Sequence, residues 1–205
     1  VWITRVTGAT RRASMPSRAC KPPVGNRNRR SIVPPVRWYR SFRQARLNQP
    51  DLQGAAAFWL QAEGSLTRHL QLRCRQSFHV EVANEGFALP TRDEALTLGI
   101  PHRQRAWVRE VRLCGDGKPW VLARTIIPLN TLSGRGRRLR HLGRVPLGAW
   151  LFSRPEWSRG PLQAGLCRES RPGEPRCARR SLFTSHDYKL LVGEYFLPEL
   201  LAQPL

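Results

Sequence analysis

Two charged residues stand at positions where a β-strand would normally present an apolar side chain to the core. The segment 107–113 reads Trp-Val-Arg-Glu-Val-Arg-Leu, and because strand side chains alternate between faces, Arg109 shares its face with three apolar residues. Near the C-terminus, Glu194 stands in the same way among Leu190, Val192 and Phe196. A charge that faces a core is costly unless it is paired. The pattern predicts a small anionic ligand held between Arg109 and Glu194, a buried ion pair between them, or strand edges that let both reach water.

The chemistry open to such a pair is recognition rather than covalent catalysis. An arginine can hold a carboxylate through two parallel hydrogen bonds, and a desolvated glutamate can accept from or donate to a ring hydroxyl or an ether oxygen. The sequence contains no G-x-S-x-G elbow, no P-loop and no G-x-G-x-x-G after a predicted strand. We therefore expect a reaction that depends mainly on binding and orientation.

Composition is typical of one domain preceded by a basic segment. The chain has 205 residues, 40% of them hydrophobic, and a formal net charge of +21. Residues 1–50 contain twelve of the 35 Lys and Arg and no acid. We predict a basic, unstructured leader over 1–48 and a folded domain over 49–205. An organellar transit peptide and a nucleic-acid-binding arm are alternatives for the leader, although it lacks the interleaved aromatic residues of a nucleic-acid surface.

The cysteines and histidines do not predict a metal site. The five cysteines have no CxxC spacing, and the five histidines are scattered along the chain. No apolar run approaches the roughly 18 residues of a membrane span. We expect free thiols, no metal, no membrane segment and a cytoplasmic location.

Hydrophobic patterns predict an α+β fold with a single antiparallel sheet. Asp51 is the predicted N-cap of a helix over 55–60, and Ser65 that of a second helix. Segments 132–152 and 154–180 are predicted to be largely helical and irregular, respectively. Four strands are predicted, at 78–83, 107–113, 120–127 and 188–197. Asp116-Gly117 is the predicted hairpin turn between the second and third strands.

Arg124 is a third charge among apolar neighbours, because it shares its predicted face with Trp120, Leu122 and Ile126. It is either a second partner for a ligand carboxylate or a member of a structural ion pair. The alternation of residues does not distinguish the two.

Several segments, in this order along the chain, resemble the chorismate–pyruvate lyase family. The longest similar segment is Ala-Arg-Thr-Ile-Ile-Pro-Leu-Asn-Thr-Leu-Ser-Gly at 123–134, preceded by the strand at 107–113 and Gly-Lys-Pro-Trp at 117–120. The others are Gly-Ser-Leu-Thr at 64–67, Leu-Gly-Arg-Val-Pro-Leu-Gly at 142–148, Ala-Arg-Arg-Ser at 178–181 and Glu-Tyr-Phe-Leu-Pro at 194–198. The resemblance covers residues 51–198 and leaves the basic leader without a counterpart.

The resemblance implies a cofactor-independent lyase that converts chorismate to 4-hydroxybenzoate and pyruvate for ubiquinone synthesis. It implies an antiparallel sheet with helices on one face and helical flaps over an internal ligand cavity. By the same resemblance, Arg109 holds the ring carboxylate and Glu194 meets the 4-oxygen. The resemblance also implies that the Leu147 backbone contacts the carboxylate and that Leu66 is the fourth ligand contact. Leu66 replaces a methionine of similar volume, which a backbone contact tolerates.

We also expect several properties that the matched residues do not determine. We expect a monomer that binds chorismate and retains 4-hydroxybenzoate, with flaps around Gly64 and Gly134–Gly148. The rival interpretation is a non-catalytic sensor domain of the same fold that binds aromatic acids.

Overall fold

The computed structural model of the chain describes residues 30–50, 52–134, 136–168 and 170–204. The strands are β1 Val36–Tyr39, β2 Phe78–Ala88, β3 Ala106–Gly115, β4 Lys118–Ile127, β5 Ser158–Arg159, β6 Gln163–Cys167, β7 Cys177–Ser185 and β8 Tyr188–Phe196. The helices are α1 Phe42–Asn48, α2 Gly54–Gln61, α3 Leu66–Arg73, α4 Arg92–Leu98, α5 Leu129–Ser133, α6 Leu147–Phe152 and α7 Pro198–Leu201, with a 3-10 helix over Arg137–His141. Within these ranges, each helix falls short of the length and apolar content that a bilayer crossing needs.

All eight strands belong to one antiparallel sheet, which confirms the predicted α+β class. The strand order is β1-β6-β7-β8-β4-β3-β2, and β5 pairs with β7 beside this path. The central strands β3, β4 and β8 are long and largely buried on both faces. They therefore form the rigid platform on which side chains from both faces are positioned.

Two tight hairpins fix the register of the central strands. The β3–β4 turn is the predicted Asp116-Gly117, with φ of 51° and 79°, which is the left-handed backbone that this kind of turn requires. The Asp116 carboxylate also accepts hydrogen bonds from the backbone N–H groups of Arg75, Gln76 and Ser77, so it joins the turn to the segment before β2. His186, with φ of 52°, occupies the turn between β7 and β8.

Helices pack on one face of the sheet, with α4 as the exception. Trp59 and Leu60 of α2 and Leu70 of α3 join one cluster with Val111 and Phe196. Leu147 and Leu151 of α6 pack in a second cluster with Phe183 and Leu190 of β7 and β8. Helix α4 lies on the opposite face, where its Leu98 packs against Val108 and Leu191.

Several predicted boundaries were wrong. Residues 36–48, assigned to the unstructured leader, form β1 and α1, and Tyr39 and Ala45 are buried in the first cluster. Residues 1–29 lie outside the described residues. The segment 154–180, predicted to be irregular, contains β5, β6 and the start of β7. Its proline, glycine and arginine content concealed short strands that are stabilised only by their neighbours in the sheet.

The predicted helix caps had mixed outcomes. The Ser65 hydroxyl accepts a hydrogen bond from the backbone N–H of Arg68, which confirms Ser65 as the N-cap of α3. Helix α2 instead begins after Gln53, whose side chain makes no capping hydrogen bond. Asp51, the predicted cap, lies outside the described residues.

Arg124 is a member of a structural ion network on the α4 face. Its Nε donates to Glu94 Oε1 at 2.7 Å, and its Nη1 donates to Glu110 Oε1 at 2.7 Å. The Glu110 side chain is 2% exposed. Burial alone raises the pKa of this carboxyl, but hydrogen bonds from Asn84, Ser31 and Arg124 outweigh burial and lower its pKa. Of the two interpretations left open by the sequence, the structure selects the ion pair.

Replacing Arg124 with methionine should destabilise the fold strongly. Two buried carboxylates then lose their cation, which costs about 3–5 kcal/mol of unfolding free energy. Since the folded state depresses the pKa of Glu110, its stabilising effect exists above pH of about 4.5 and is lost as the pH falls. The difference in unfolding free energy between wild type and Arg124→Met should therefore become smaller at acidic pH. Urea unfolding at pH 7 and pH 4 measures both effects, with Arg92→Met, on the exposed start of α4, as the matched control. An Arg124→Met deficit no larger than that of the control would contradict the ion network.

Candidate active site

All four site residues predicted from the resemblance line one pocket. The pocket lies between the sheet face that carries Arg109 and Glu194 and the helices α3 and α6, which contribute Leu66 and Leu147. The side chains around it are mostly apolar. The remaining lining residues are Gly64, Thr67, Val80, Val111, Leu113, Ala123, Thr125, Pro146, Gly148, Leu151, Phe152, Arg159, Phe183 and Val192.

The sheet register puts the two charges on one face at a fixed separation. Arg109 lies opposite Thr125 of β4, and Glu194 lies opposite Ala123 of the same strand. Residues 123 and 125 share a face, so Arg109 and Glu194 do as well. They flank β4 and are offset by two residues along it, so two strand spacings and this offset place their backbones about 12 Å apart.

Arg109 is buried and binds the segment that leads into α6. Its side chain is 2% exposed, and its Nη2 donates to the backbone carbonyls of Gly143 at 2.5 Å and Val145 at 3.5 Å. Its Nε lies 3.6 Å from Glu85 Oε1 and makes no hydrogen bond. Burial lowers the pKa of the guanidinium, and the nearby Glu85 carboxylate partly offsets this effect. A desolvated cation with an unused donor is suited to binding an anion.

Glu194 is held by an arginine that the sequence analysis did not single out. Arg179 of β7 lies opposite Glu194, and its Nε donates to Glu194 Oε2 at 2.6 Å. The Arg179 Nη1 also donates to the carbonyls of Trp59 and Ala62 at the end of α2. The direct Arg109–Glu194 ion pair considered as an alternative does not form. Side-chain alternation along 177–185 could have revealed Arg179, but this stretch was assigned partly to an irregular segment.

Arg159 is the second guanidinium beside Glu194, and it was also missed. Its Nη2 lies 3.8 Å from Glu194 Oε2, its Nε donates to Ser181 Oγ at 2.8 Å, and its Nη1 donates to the Gly64 carbonyl at 3.0 Å. Burial lowers the pKa of this guanidinium. A two-residue strand in a segment rich in proline and glycine left no periodic signal from which to predict it.

Leu66 and Leu147 both line the pocket. Each is the first residue of its helix, where backbone N–H groups have no intrahelical acceptor. Both side chains are buried. That backbone groups at these two positions contact a ligand stays a prediction. A Leu-for-Met exchange at 66 leaves the backbone group in place.

One group of potential metal ligands exists among the described residues, away from the pocket. The ligand atoms of His79, Glu81 and Cys114 lie within 4.8 Å of one another on the opposite sheet face. Burial raises the pKa of the Cys114 thiol to about 11, so it is protonated at neutral pH and is a poor ligand in that form. The absence of a functional metal site stays a prediction.

Comparison with known proteins identifies the relatives of this chain. The family model described as Chorismate lyase matches residues 41–204. A probable chorismate pyruvate-lyase of Marinobacter nauticus is 59% identical over 172 residues, which cover 84% of this chain and 92% of that protein. The chorismate pyruvate-lyase of Yersinia enterocolitica is 41% identical over 180 residues, which cover 85% of this chain and 95% of that protein.

A solved structure shares the fold at low identity. PhnF from Mycobacterium smegmatis superposes with a TM-score of 0.50 and 14% sequence identity, over 71% of this chain and 69% of that one. At that identity the likeness concerns the fold alone.

Replacing Arg179 with methionine should weaken the fold as well as the site. The change leaves the Glu194 carboxylate and two carbonyls of α2 without their buried donor, which costs about 3–5 kcal/mol of unfolding free energy. Urea denaturation measures the loss. Arg176→Met, at an exposed arginine just before β7, is the matched control and should stay within about 0.5 kcal/mol of wild type. Equal stability of the two variants would mean that Arg179 is not what holds α2 to the sheet.

Proposed function

This chain belongs to the chorismate lyase family, and we propose that it converts chorismate to 4-hydroxybenzoate and pyruvate in the pocket between Arg109 and Glu194. The observation that carries the proposal is the meeting of Arg109, Glu194, Leu66 and Leu147 in one pocket. These residues come from two strands and two helices that are distant in sequence. The product, 4-hydroxybenzoate, is the ring precursor that ubiquinone synthesis uses.

The substrate lies with its ring carboxylate toward Arg109 and its ring hydroxyl toward Glu194. The carboxylate takes the unused donor capacity of Arg109 and is joined by backbone N–H groups at the starts of α3 and α6. The two groups sit at opposite ends of one six-membered ring, and Arg109 and Glu194 flank the single strand β4. Val111, Ala123 and Val192 provide an apolar surface beneath the ring.

The reaction is balanced without any co-reactant. The bond between a ring carbon and the ether oxygen breaks, the neighbouring ring carbon that bears the hydroxyl loses a hydrogen, and the methylene carbon of the enolpyruvyl group gains one. The ring becomes aromatic, so the driving force lies in the substrate. Because no electrons leave the pair of products, the reaction requires no external oxidant or reductant.

The protein contributes orientation and charge stabilisation. Arg109 and the backbone N–H groups fix one end of the ring, which restricts the substrate to reactive conformations. Glu194 is fixed by Arg179, so its free oxygen has a defined direction for the hydrogen bond to the ring hydroxyl. Negative charge that develops on the departing enolpyruvyl oxygen is stabilised by the surrounding guanidinium groups.

The setting of the reaction follows from the same residues. The described residues of one chain line the pocket, so the proposed site does not require a second copy, and we propose that the enzyme acts as a monomer. The described cysteines, Cys74, Cys114, Cys167 and Cys177, are free thiols, which suits the reducing conditions of the cytoplasm. A sensor domain of the same fold would bind aromatic acids without converting chorismate. The lyase assay described below distinguishes the sensor from the enzyme.

Substitution of either charged residue should abolish most of the lyase activity. We expect Arg109→Met and Glu194→Gln each to lower kcat/KM for chorismate by about 100- to 1000-fold, because each removes a preorganised charged contact. The assay follows the formation of 4-hydroxybenzoate and pyruvate from chorismate in equal amounts. Arg105→Met is the matched control, because Arg105 is exposed and donates to the Phe87 carbonyl outside the pocket.

Two results would contradict the proposal. Wild-type protein that binds 4-hydroxybenzoate but releases no pyruvate from chorismate is a sensor rather than a lyase. Activity that falls equally in Arg105→Met and Arg109→Met would show that the pocket is not the site of the reaction.

Product release should limit turnover. 4-Hydroxybenzoate keeps both the carboxylate and the 4-oxygen, so it retains the contacts to Arg109 and Glu194. Arg109 also donates hydrogen bonds to the carbonyls of Gly143 and Val145, so the segment before α6 must move for the product to leave. Rapid mixing of excess chorismate with enzyme should give a burst of one 4-hydroxybenzoate per active site before the slower steady state. A linear time course from the first turnover would mean that chemistry is the slow step.

A further inference from the structure

The Glu194 end of the pocket holds more positive than negative charge. Both Arg159 and Arg179 lie within ion-pair distance of Glu194, and among the described residues neither guanidinium has another carboxylate within 4.0 Å. Two cations therefore share one anion. Both side chains are shielded from water, at 16% exposure for Arg159 and 0% for Arg179. A desolvated excess of positive charge at this end favours a bound anion.

The donors of the two arginines are used differently. Arg179 is not among the lining residues of the pocket. Its Nε and Nη1 donate to Glu194 and to the carbonyls of Trp59 and Ala62, and its Nη2 is buried without a hydrogen-bond partner. Arg159 does line the pocket. Its Nε and Nη1 are engaged by Ser181 and Gly64, which leaves Nη2 with only the 3.8 Å contact to Glu194. Arg159 is thus held in place with one end of its guanidinium available.

The proposed substrate carries a second carboxylate that should lie at this end. In chorismate, the enolpyruvyl ether is attached to the ring carbon next to the one that bears the hydroxyl. If the hydroxyl meets Glu194, the enolpyruvyl carboxylate lies at the Glu194 end of the ring. Arg109 is engaged at the other end of the ring.

We infer that Arg159 binds the enolpyruvyl carboxylate of chorismate and is the residue by which the pocket distinguishes substrate from product. The inference rests on the proposed function. The aromatic product keeps the groups that Arg109 and Glu194 contact but has lost the carboxylate that Arg159 contacts. Arg159 therefore strengthens binding of the substrate alone and leaves retention of 4-hydroxybenzoate unaffected.

Contact with this carboxylate also orients the departing group. A guanidinium anchored through Ser181 and Gly64 restricts rotation about the ether bond. Phe183, whose ring centroid lies 5.7 Å from the Arg159 guanidinium carbon, bounds the same space. The methylene carbon is then held on one side of the ring, which is the geometry that hydrogen transfer requires.

The test compares two inert ligands that differ in the second carboxylate. The probes are 4-hydroxybenzoate and 3-(carboxymethoxy)-4-hydroxybenzoate, and calorimetric titration gives a Kd for each. In wild type, the dicarboxylate should bind more tightly than a 4-hydroxybenzoate that carries an uncharged substituent at the same ring position. Arg159→Met and Arg159→Gln should each weaken the dicarboxylate by about 10- to 100-fold, the effect of one charge-assisted hydrogen bond, and leave the Kd of 4-hydroxybenzoate unchanged.

Three matched variants separate this role from a structural one. Ser181→Ala removes the partner of the Arg159 Nε but keeps the cation, so it should retain the preference for the dicarboxylate. Arg159→Lys keeps a positive charge and should restore part of the preference. Arg109→Met should weaken both ligands together, because both carry the ring carboxylate.

The outcomes also separate this inference from the function on which it rests. If wild-type enzyme splits chorismate but Arg159→Met and Arg159→Gln keep the wild-type ratio of the two Kd values, the assignment to Arg159 is wrong and the function stands. Equal weakening of both ligands in both variants likewise overturns it, because Arg159 would then only shape the pocket. If wild-type protein does not split chorismate at all, the proposed function fails first.

Discussion

The cost of burying guanidinium groups governs how this molecule is built. Arg109 and Arg179 are almost fully removed from water on the pocket face of the sheet. Each finds acceptors in backbone carbonyls of the surrounding segments: Gly143 for Arg109, and Trp59 with Ala62 for Arg179. Arg159 does the same with Gly64. The arginines therefore attach the surrounding segments to the sheet.

The two faces of the sheet treat buried charge differently. On the α4 face, Arg124 is neutralised by Glu94 and Glu110, and Arg180 is paired with Asp93. On the pocket face, three arginines face two partly available carboxylates, Glu85 and Glu194. In the first arrangement, three carboxylates of the protein more than offset the two cations. The second keeps spare donors and an excess of positive charge, which is what separates a binding site from a structural network of the same residue types.

A site of this kind suits a dianion that aromatises on cleavage. The substrate contains the driving force, so selectivity and orientation are the main tasks of the protein. In the proposed mode of binding, contacts to the carboxylate and hydroxyl of the ring are common to substrate and product. A contact to the group that departs favours the substrate over the product, which gives the second guanidinium a role beyond ring recognition.

Side-chain alternation was sufficient to single out Arg109 and Glu194, since a charge in an apolar strand face is visible without any structure. The Asp116-Gly117 hairpin was equally readable, because few residues adopt a left-handed turn without strain. The resemblance added Leu66 and Leu147, which no periodicity would have indicated. The first folded elements, β1 and α1, were missed because a basic and proline-rich composition resembled disorder.

What the sequence determined was therefore local: which strands exist, which residues share a face, and which charges need a partner. Tertiary structure decided the partners themselves. Arg124 and Arg109 look alike in sequence, yet Arg124 is hydrogen-bonded to Glu94 of α4, whereas the Arg109 Nε is left without a hydrogen bond. Glu194 meets Arg179 and Arg159 rather than Arg109 because of the order in which β7, β8 and β4 lie in the sheet. Coulomb and hydrogen-bond energies depend on distances between residues far apart in the chain, and those distances exist only once the strands are paired.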